Sequence, residues 1–279
     1  KKDVDIRKSV ERVKDADIVI FASGISPSLE GEEMGVNLPG FKKGDRTDIE
    51  LPAVQRELID ALHRAGKKII LVNCSGSPIG LEPETQKCEA ILQAWYPGQQ
   101  GGKAVAEVLF GDYNPAGKLP VTFYRNVSQL PDFEDYNMAG RTYRYMQDVP
   151  LFPFGYGLSY TTFGYGKTVL DKNELTAGQS LKLTVPVTNT GKRNGEEVVQ
   201  VYLRKQGDAE GPIKTLRAFK RVSIPAGKTV NVEFDLKDKE LEWWDDQSNT
   251  VRVCPGNYDI MVGGSSKEED LQRTTIAIK

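Results

Sequence analysis

The sequence predicts an α/β domain with a parallel sheet, followed by an all-β domain built as an antiparallel sandwich. Two patterns support this prediction. In the first part of the chain, apolar runs alternate with segments of helical period, and from Phe163 onward short period-two segments are separated by turn signals. Alternating strands and helices are typical of a parallel sheet with helices on both faces. Short, closely spaced strands are typical of a sandwich.

The first domain is predicted over residues 1–123. Its apolar and helix-period segments are 17–22, 53–65, 68–72, 90–95, 102–110 and 119–123. Residues on either side of the predicted helix 53–65 favour its start and its end. Pro52 suits the first turn because it lacks an amide donor, and Gly66 suits a left-handed helix end.

The second domain is predicted over residues 164–279. Its period-two segments include, for example, 181–187, 198–203, 229–236 and 258–262, separated by turn sequences such as Pro-Ala-Gly and Pro-Gly-Asn. Trp243 and Trp244 are adjacent, so on a strand one ring faces the core and the other faces outward. This domain shows no catalytic constellation.

Residues 124–163 lie between the two domains and are rich in Tyr, Phe, Pro and Gly. Flexible linkers are poor in aromatic residues, so we predict a packed connector. Two or three of its rings are candidates for contact with a ligand, and packing is the expected role of the others.

Composition excludes several classes of function. The chain has 279 residues, with 37 Lys and Arg against 39 Asp and Glu, and no basic run for nucleic acid or anionic membranes. No apolar stretch approaches the ~20 residues of a membrane helix. Three scattered cysteines with His63 as the single histidine match neither a disulfide framework nor a zinc site. We predict no metal and no cofactor.

The predicted site is the long polar loop 23–51, SGISPSLEGEEMGVNLPGFKKGDRTDIEL, which follows the first strand. Ligands of parallel sheets collect outside the carboxyl ends of the strands, and a loop of this length is usually functional or disordered. The loop carries the acidic residues Glu30, Glu32 and Glu33 and the pair Asp45–Arg46. A solvated acidic loop is the alternative interpretation.

Other active-site motifs are absent from the sequence. Neither G-x-G-x-x-G nor G-x-x-x-x-G-K-[ST] follows the first strand, which argues against a nucleotide or flavin site. No G-x-S-x-G elbow is present, and His63 lies on a predicted helix. We therefore interpret Ser75 in NCSGSP as part of a turn at a strand end.

The sequence resembles glycoside hydrolase family 3 over nearly its whole length. The matching stretches are SLEGEEM, GDRTDIELPAVQRELI, AWYPGQQGGKAVAEVLFGDYNPAGKLPVTF and PLFPFGYGLSYTTF. Members commonly have a barrel, an α/β sandwich and a fibronectin type III-like domain in that order. The resemblance implies that this chain holds a partial open α/β sandwich and the fibronectin-like domain. The barrel, with its nucleophile, is expected to be absent from the chain.

The resemblance further implies a retaining, exo-acting β-glycosidase. The family uses an aspartate nucleophile on the barrel and a glutamate acid/base on the α/β sandwich, in agreement with retaining chemistry in general. The stretch DFEDYNMAGRTYRYM resembles the β-xylosidase branch. Xylan 1,4-β-xylosidase activity is therefore expected first. β-Glucosidase or arabinosidase activity, or a non-catalytic module that binds carbohydrate or a partner, stays open.

The family's acid/base glutamate precedes an Asp-Arg pair, which matches Glu30 with Asp45 and Arg46 following. The sequence departs from the family pattern because Glu32 and Glu33 lie beside this residue and an insertion separates it from Asp45. The resemblance thus implies Glu30 first, with Glu33 and Glu32 as alternatives. Asp45 and Arg46 are expected to bind sugar hydroxyls or to form a structural ion pair.

Partners and location are also implied only by the resemblance. The expected partners are a β-linked oligosaccharide and a barrel domain, located upstream or on a separate chain. Self-association into a homo-oligomer is left open. The first residues lack the apolar core of a signal peptide, while the family implies a secreted or periplasmic enzyme.

Overall fold

A computed structural model describes residues 5–30, 35–36, 38–43 and 45–279. Its contacts divide the chain into two units, Lys1–Phe110 with Phe123–Asp132, and Gly111–Thr122 with Phe133–Lys279. Residues 124–163, which we predicted as a connector, are divided between these units. Residues 124–132 belong to the first and 133–163 to the second.

The first unit is built on a parallel sheet. In chain order it contains α1 (Ile6–Arg12), β1 (Ile18–Gly24), β2 (Phe41–Lys42), β3 (Asp45–Arg46), α2 (Ala53–Arg64), β4 (Lys68–Cys74), α3 (Glu82–Thr85), β5 (Ala90–Gln93), α4 (Gly101–Phe110) and a 3₁₀ turn (Val127–Gln129). Strands β1, β4 and β5 pair in that order, all parallel. The predicted parallel α/β architecture is confirmed.

Helix α2 packs on the central strand of this sheet. It buries Ile59 and Leu62, and β4 buries Ile69 and Leu71, all at 3% exposure or less. Each such side chain contributes about 1.5–3 kcal/mol of transfer free energy. The helix starts after Pro52 and is followed by Gly66 at φ 74°, so both predicted boundary residues lie where expected.

One expectation for this sheet was wrong. The apolar run 119–123 contributes no strand to it within the described residues, and Pro120 in that run lacks the amide that a ladder requires. Within the described residues, strand β1 lies at the edge of this sheet, where Ile18 and Ile20 remain 52% and 49% exposed.

The second unit is the predicted sandwich. In chain order it contains α5 (Thr142–Tyr145), β6 (Phe163–Tyr165), β7 (Val169–Leu170), β8 (Glu174–Leu175), β9 (Leu181–Asn189), β10 (Gly195–Lys205), β11 (Thr215–Ile224), β12 (Thr229–Leu236), α6 (Asp238–Leu241), β13 (Trp243–Asp245), β14 (Thr250–Arg252), β15 (Gly256–Gly263), a 3₁₀ turn (Glu268–Asp270) and β16 (Gln272–Ile278). One sheet has the order β11-β10-β15-β16-β8, and the other has β12-β9-β6. All pairs are antiparallel except β16 with β8.

The sandwich core follows the period-two pattern. Leu181, Leu183, Val185 and Val187 of β9 are all buried, while the residues between them face away from the core. Trp243 is 2% exposed and Trp244 is 48% exposed. The two indoles therefore face opposite sides of β13, as their adjacency predicted.

Candidate active site

The candidate site begins where β1 ends. Gly24 donates its amide to Gln55 Oε1 at 3.1 Å, and Gln55 Nε2 donates to the Gly24 carbonyl at 2.8 Å. Gly24 has φ 127°, and a Cβ at this position would lie 1.8 Å from the carbonyl oxygen of Cys74. Only glycine fits this close approach of β1 to β4, so the start of the loop is fixed.

Glu30 is held by groups from three different segments. The amide of Gly76 donates to its Oε2 at 2.9 Å, the Ser77 hydroxyl donates to its Oε1, and the Tyr96 hydroxyl contacts its Oε2. Arg46 Nη1 lies 3.6 Å from its Oε1. The Glu30 side chain is only 12% exposed. The carboxylate is therefore fixed in position at the base of the loop.

These contacts bring together the carboxyl ends of the parallel strands. Glu30 follows β1, Gly76 and Ser77 follow β4, and Tyr96 follows β5. An open cavity of about 480 Å³ lies here, lined by Pro27, Glu30, Asp45, Arg46, Gly76, Ser77 and Tyr96. This volume lies within the range of small-molecule sites. The cavity offers carboxylate, guanidinium and hydroxyl groups, which suit a ligand rich in hydroxyl groups.

Arg46 belongs to the short hairpin of β2 and β3. It donates from Nη2 to the Glu50 carbonyl at 3.0 Å and lies 3.7 Å from Asp48, with its guanidinium over the ring of Phe41. Burial lowers the pKa of Arg46, and the charges of Asp48 and Glu30 partly offset that effect. Arginine stays protonated in proteins, so Arg46 brings a positive charge to the cavity.

The structure places the residues predicted from the sequence as follows. Glu30, Asp45 and Arg46 all line the cavity. Arg46 forms ion pairs with Glu30 and Asp48, and Asp45 is exposed. Glu32 and Glu33 lie outside the described residues.

Sequence reasoning missed Gln55, Ser77 and Tyr96. Ser75, which we interpreted as part of a turn, is buried, and its hydroxyl donates to the Ser77 carbonyl at 2.8 Å. Tyr96 follows Trp95, which has φ 55° and turns the chain sharply after β5. The rule that carboxyl ends of parallel strands meet would have directed attention to residues just after β4 and β5.

The described residues hold neither a metal-binding cluster nor a membrane-spanning helix. Among the residues with described positions, no three His, Cys, Asp or Glu side chains converge on a metal-sized site. In the same ranges, no helix has the length and apolar character needed to cross a bilayer.

Two family models match the chain. The glycosyl hydrolase family 3 C-terminal domain matches residues 2–160, and the fibronectin type III-like domain matches residues 197–266.

The names of three curated relatives describe them as β-xylosidases or β-glucosidases. A xylan 1,4-beta-xylosidase of Xylanibacter ruminicola is 56% identical over 99% of this chain and 32% of its own length. A beta-xylosidase of Formosa agariphila is 39% identical over 98% and 37%. A periplasmic beta-glucosidase of Salmonella typhimurium is 36% identical over 94% and 34%. The chain thus spans about a third of the length of these relatives.

Solved structures share the fold of both units. A b-glucosidase from Erythrobacter marinus has a TM-score of 0.85 at 38% identity, covering 98% of this chain and 36% of its own. A beta-glucosidase from Listeria innocua in complex with glucose has a TM-score of 0.82 at 27% identity, covering 100% and 39%.

Proposed function

This chain belongs to glycoside hydrolase family 3, and from that premise we propose that it contributes the acid/base glutamate to a retaining, exo-acting β-glycosidase. The observation that supports this role is the cavity around Glu30. It places a fixed carboxyl group at the carboxyl ends of a parallel sheet, beside Arg46, Asp45 and Tyr96.

The proposed substrate is a β-linked oligosaccharide with a terminal non-reducing xylose, as in xylan. The names of the Xylanibacter ruminicola and Formosa agariphila relatives support xylose. The Salmonella typhimurium relative and the Erythrobacter marinus structure support β-glucosidase activity as the second candidate.

In the proposed mechanism, Glu30 first acts as an acid. Its carboxyl proton moves to the glycosidic oxygen as the bond from that oxygen to the anomeric carbon breaks, and the bonding electron pair stays on the oxygen. An aspartate of a barrel domain outside these residues forms the covalent glycosyl-enzyme. Glu30, now ionised, removes a proton from the water that releases the sugar.

Asp45 and Arg46 are proposed to orient the sugar. The exposed carboxylate of Asp45 accepts hydrogen bonds from sugar hydroxyls, and a guanidinium donates to hydroxyl oxygens. Arg46 donates from Nη2 to the Glu50 carbonyl, and its Nη1 faces Glu30 in the cavity wall. A location outside the cytoplasm is proposed on the name of the periplasmic relative.

The test is hydrolysis of chromogenic aryl β-xyloside and β-glucoside by the enzyme that contains this chain and a barrel domain. We expect Glu30→Gln to lower kcat about 10²- to 10⁴-fold, the usual contribution of general acid/base catalysis. Azide should restore part of the rate with substrates that have good leaving groups, because it replaces the activated water.

Matched variants decide which glutamate acts. Glu33→Gln and Glu32→Gln are expected to keep most of the activity and to show no azide rescue. If either of them, and not Glu30→Gln, shows the loss and the rescue, the assignment moves to that residue. If the correctly folded enzyme hydrolyses neither glycoside, the chain is a non-catalytic binding module instead.

A further inference from the structure

A cluster of polar side chains is buried next to the turn that contacts Glu30. It consists of Asn73 on β4, Ser75 just after that strand, and Gln93 on β5. Asn73 and Gln93 are neighbours in the parallel pairing of the two strands, and Asn73 and Ser75 are both 0% exposed. Strands inside a parallel sheet are usually apolar. The polar cluster is therefore an exception in this sheet, and the function proposed above gives it no role.

The Ser75 hydroxyl uses its full hydrogen-bonding capacity in this cluster. It donates to the Ser77 carbonyl at 2.8 Å. It accepts from Asn73 Nδ2 and from Gln93 Nε2, each at 3.2 Å. Asn73 Nδ2 also donates to Gln93 Oε1 at 2.7 Å, so the two amide groups fix each other. Since a serine hydroxyl has one proton and two lone pairs, Ser75 is held from two strands with nothing left for another partner.

The turn that Ser75 fixes supplies one donor to each oxygen of the Glu30 carboxyl group. The Gly76 amide donates to Oε2 at 2.9 Å, and the Ser77 hydroxyl donates to Oε1. A bond on each oxygen restrains the rotation of the carboxyl plane. The turn also approaches Glu30 closely, because a Cβ at Gly76 would lie only 3.1 Å from Oε2. Any displacement of the turn therefore moves both donors relative to Glu30.

Stability alone does not account for the polar cluster. Oδ1 of Asn73 is buried and has no hydrogen-bond partner among the residues that the structure describes, and an unpaired buried acceptor lowers the free energy of unfolding. Apolar side chains, such as the buried Ile69 and Leu71 on the same strand, would avoid this loss. Departures from such local rules are expected at functional sites. The hydrogen bonds of the cluster thus have a use other than stabilising the sheet.

We propose that Ser75 is a positioning residue for the acid/base carboxyl group of Glu30. Asn73 and Gln93 fix its hydroxyl, and that hydroxyl fixes the turn whose donors hold Glu30. This inference rests on the function proposed above, and it adds the means by which the carboxyl group is aligned with the glycosidic oxygen. Ser75 is buried and touches no substrate. Its effect is indirect, because displacing a catalytic group by about 1 Å can cost about 10²-fold in rate.

Kinetics of the complete enzyme with two leaving groups test this role. A phenyl glycoside needs a proton from the acid as its bond breaks, whereas dinitrophenolate leaves without one. The value of kcat/KM reports the transition state of bond cleavage relative to free enzyme and substrate. With glycosides of the sugar that the enzyme hydrolyses, Ser75→Ala should lower kcat/KM at least about tenfold for the phenyl compound. For the dinitrophenyl compound the loss should be less than about twofold.

The ratio of these two kcat/KM values separates positioning from a loss of folded protein, which lowers both values equally. Gln93→Met removes the amide contacts of Gln93 and should change the ratio in the same direction, so the test does not depend on the folding of one variant. Thr85→Val is the matched control. The Thr85 hydroxyl donates to the Glu82 carbonyl at 2.7 Å in α3, outside the residues that line the cavity, so this variant should leave the ratio unchanged.

NMR of the 279-residue chain with isotope-labelled glycine gives a measurement that does not depend on turnover. The signal of the Gly76 amide proton reports its hydrogen bond to Glu30. Glu30→Gln should move this signal upfield, because a neutral amide oxygen is a weaker acceptor than a carboxylate. Ser75→Ala should move it at least half as far in the same direction. The Gly24 amide, which donates to Gln55, is the internal reference.

The proposal is overturned if Ser75→Ala and Gln93→Met both leave the kcat/KM ratio unchanged. It is also overturned if the Gly76 signal moves less than half as far in Ser75→Ala as in Glu30→Gln. If Glu30→Gln leaves hydrolysis intact, the proposed function fails, while the Gly76 signal still decides whether Ser75 fixes the turn.

Discussion

Arg56→Met is expected to destabilise the first unit strongly, because Arg56 connects several segments below the site. Its Nε donates to Glu84 Oε1 at 2.9 Å, and its Nη2 donates to the Gly80 carbonyl at 2.6 Å. Its Nη1 lies 2.6 Å from Oε2 of Glu50. Methionine keeps the apolar stem but removes all of these donors.

The magnitude follows from the burial of Glu84. Its side chain is 1% exposed, while that of Arg56 is 23% exposed. Removing one partner of a buried ion pair costs about 3–5 kcal/mol, because the other charge stays buried. The partial exposure of Arg56 places the expected loss near the lower limit, about 3 kcal/mol. Burial opposes the charge of Arg56, but Glu84 and Glu50 outweigh it and raise the pKa of Arg56, which agrees with a stabilising pair.

The assay is hydrogen exchange of a β4 peptide measured by mass spectrometry over a series of urea concentrations. It reports the opening free energy of the first unit separately, which matters because two units need not unfold together. Lys103→Met is the control. Lys103 and Glu107 form an exposed pair 3.6 Å apart, and its loss should cost less than about 0.5 kcal/mol. An Arg56→Met loss below about 1 kcal/mol would refute the reasoning.

Two more predictions concern the backbone conformation at Gly24 and the pKa of Asp245. Gly24→Ala should cost about 1–3 kcal/mol in the same exchange assay, because its Cβ would lie 1.8 Å from the Cys74 carbonyl oxygen. A folded variant with wild-type exchange would contradict this. Hydrogen bonds from Ser248 and then Arg252 lower the pKa of Asp245 to about 2. Since this pKa lies below the unfolded value of about 3.9, the contribution of Asp245 to stability is present above about pH 4 and is lost as pH falls toward 2. NMR titration of the Asp245 carboxyl should show this midpoint, and Ser248→Ala should raise it; an unchanged midpoint in that variant would exclude the Ser248 hydrogen bond as the cause.

The sequence predicts an element well when its end residues and its packing in the fold favour the same structure. Helix α2 begins directly after Pro52 and ends shortly before Gly66, and its apolar face packs on a buried strand. Strand β11 has a weaker local pattern, because Arg217, Lys220 and Arg221 interrupt its alternation. Its pairing with β10 over nearly its full length overrides that weak local pattern.

The site was only partly predictable for a related reason. Glu30 and Arg46 lie in one loop, where composition and the family motif made them visible. Ser77 and Tyr96 reach the same carboxyl group from other strand ends, across 47 and 66 positions of sequence. Their proximity is created by the register of the parallel sheet, and neither residue has a distinctive pattern around it.

The edge position of β1 has a practical consequence for work with this chain in isolation. Among the residues that the structure describes, one side of this strand pairs with no other strand, and Ile18 and Ile20 beside it are half-exposed. Such an edge is a template for intermolecular strand pairing, so concentrated samples should self-associate and form aggregates. Replacing Ile20 with lysine places a charge on this edge and gives a route to samples concentrated enough for spectroscopy.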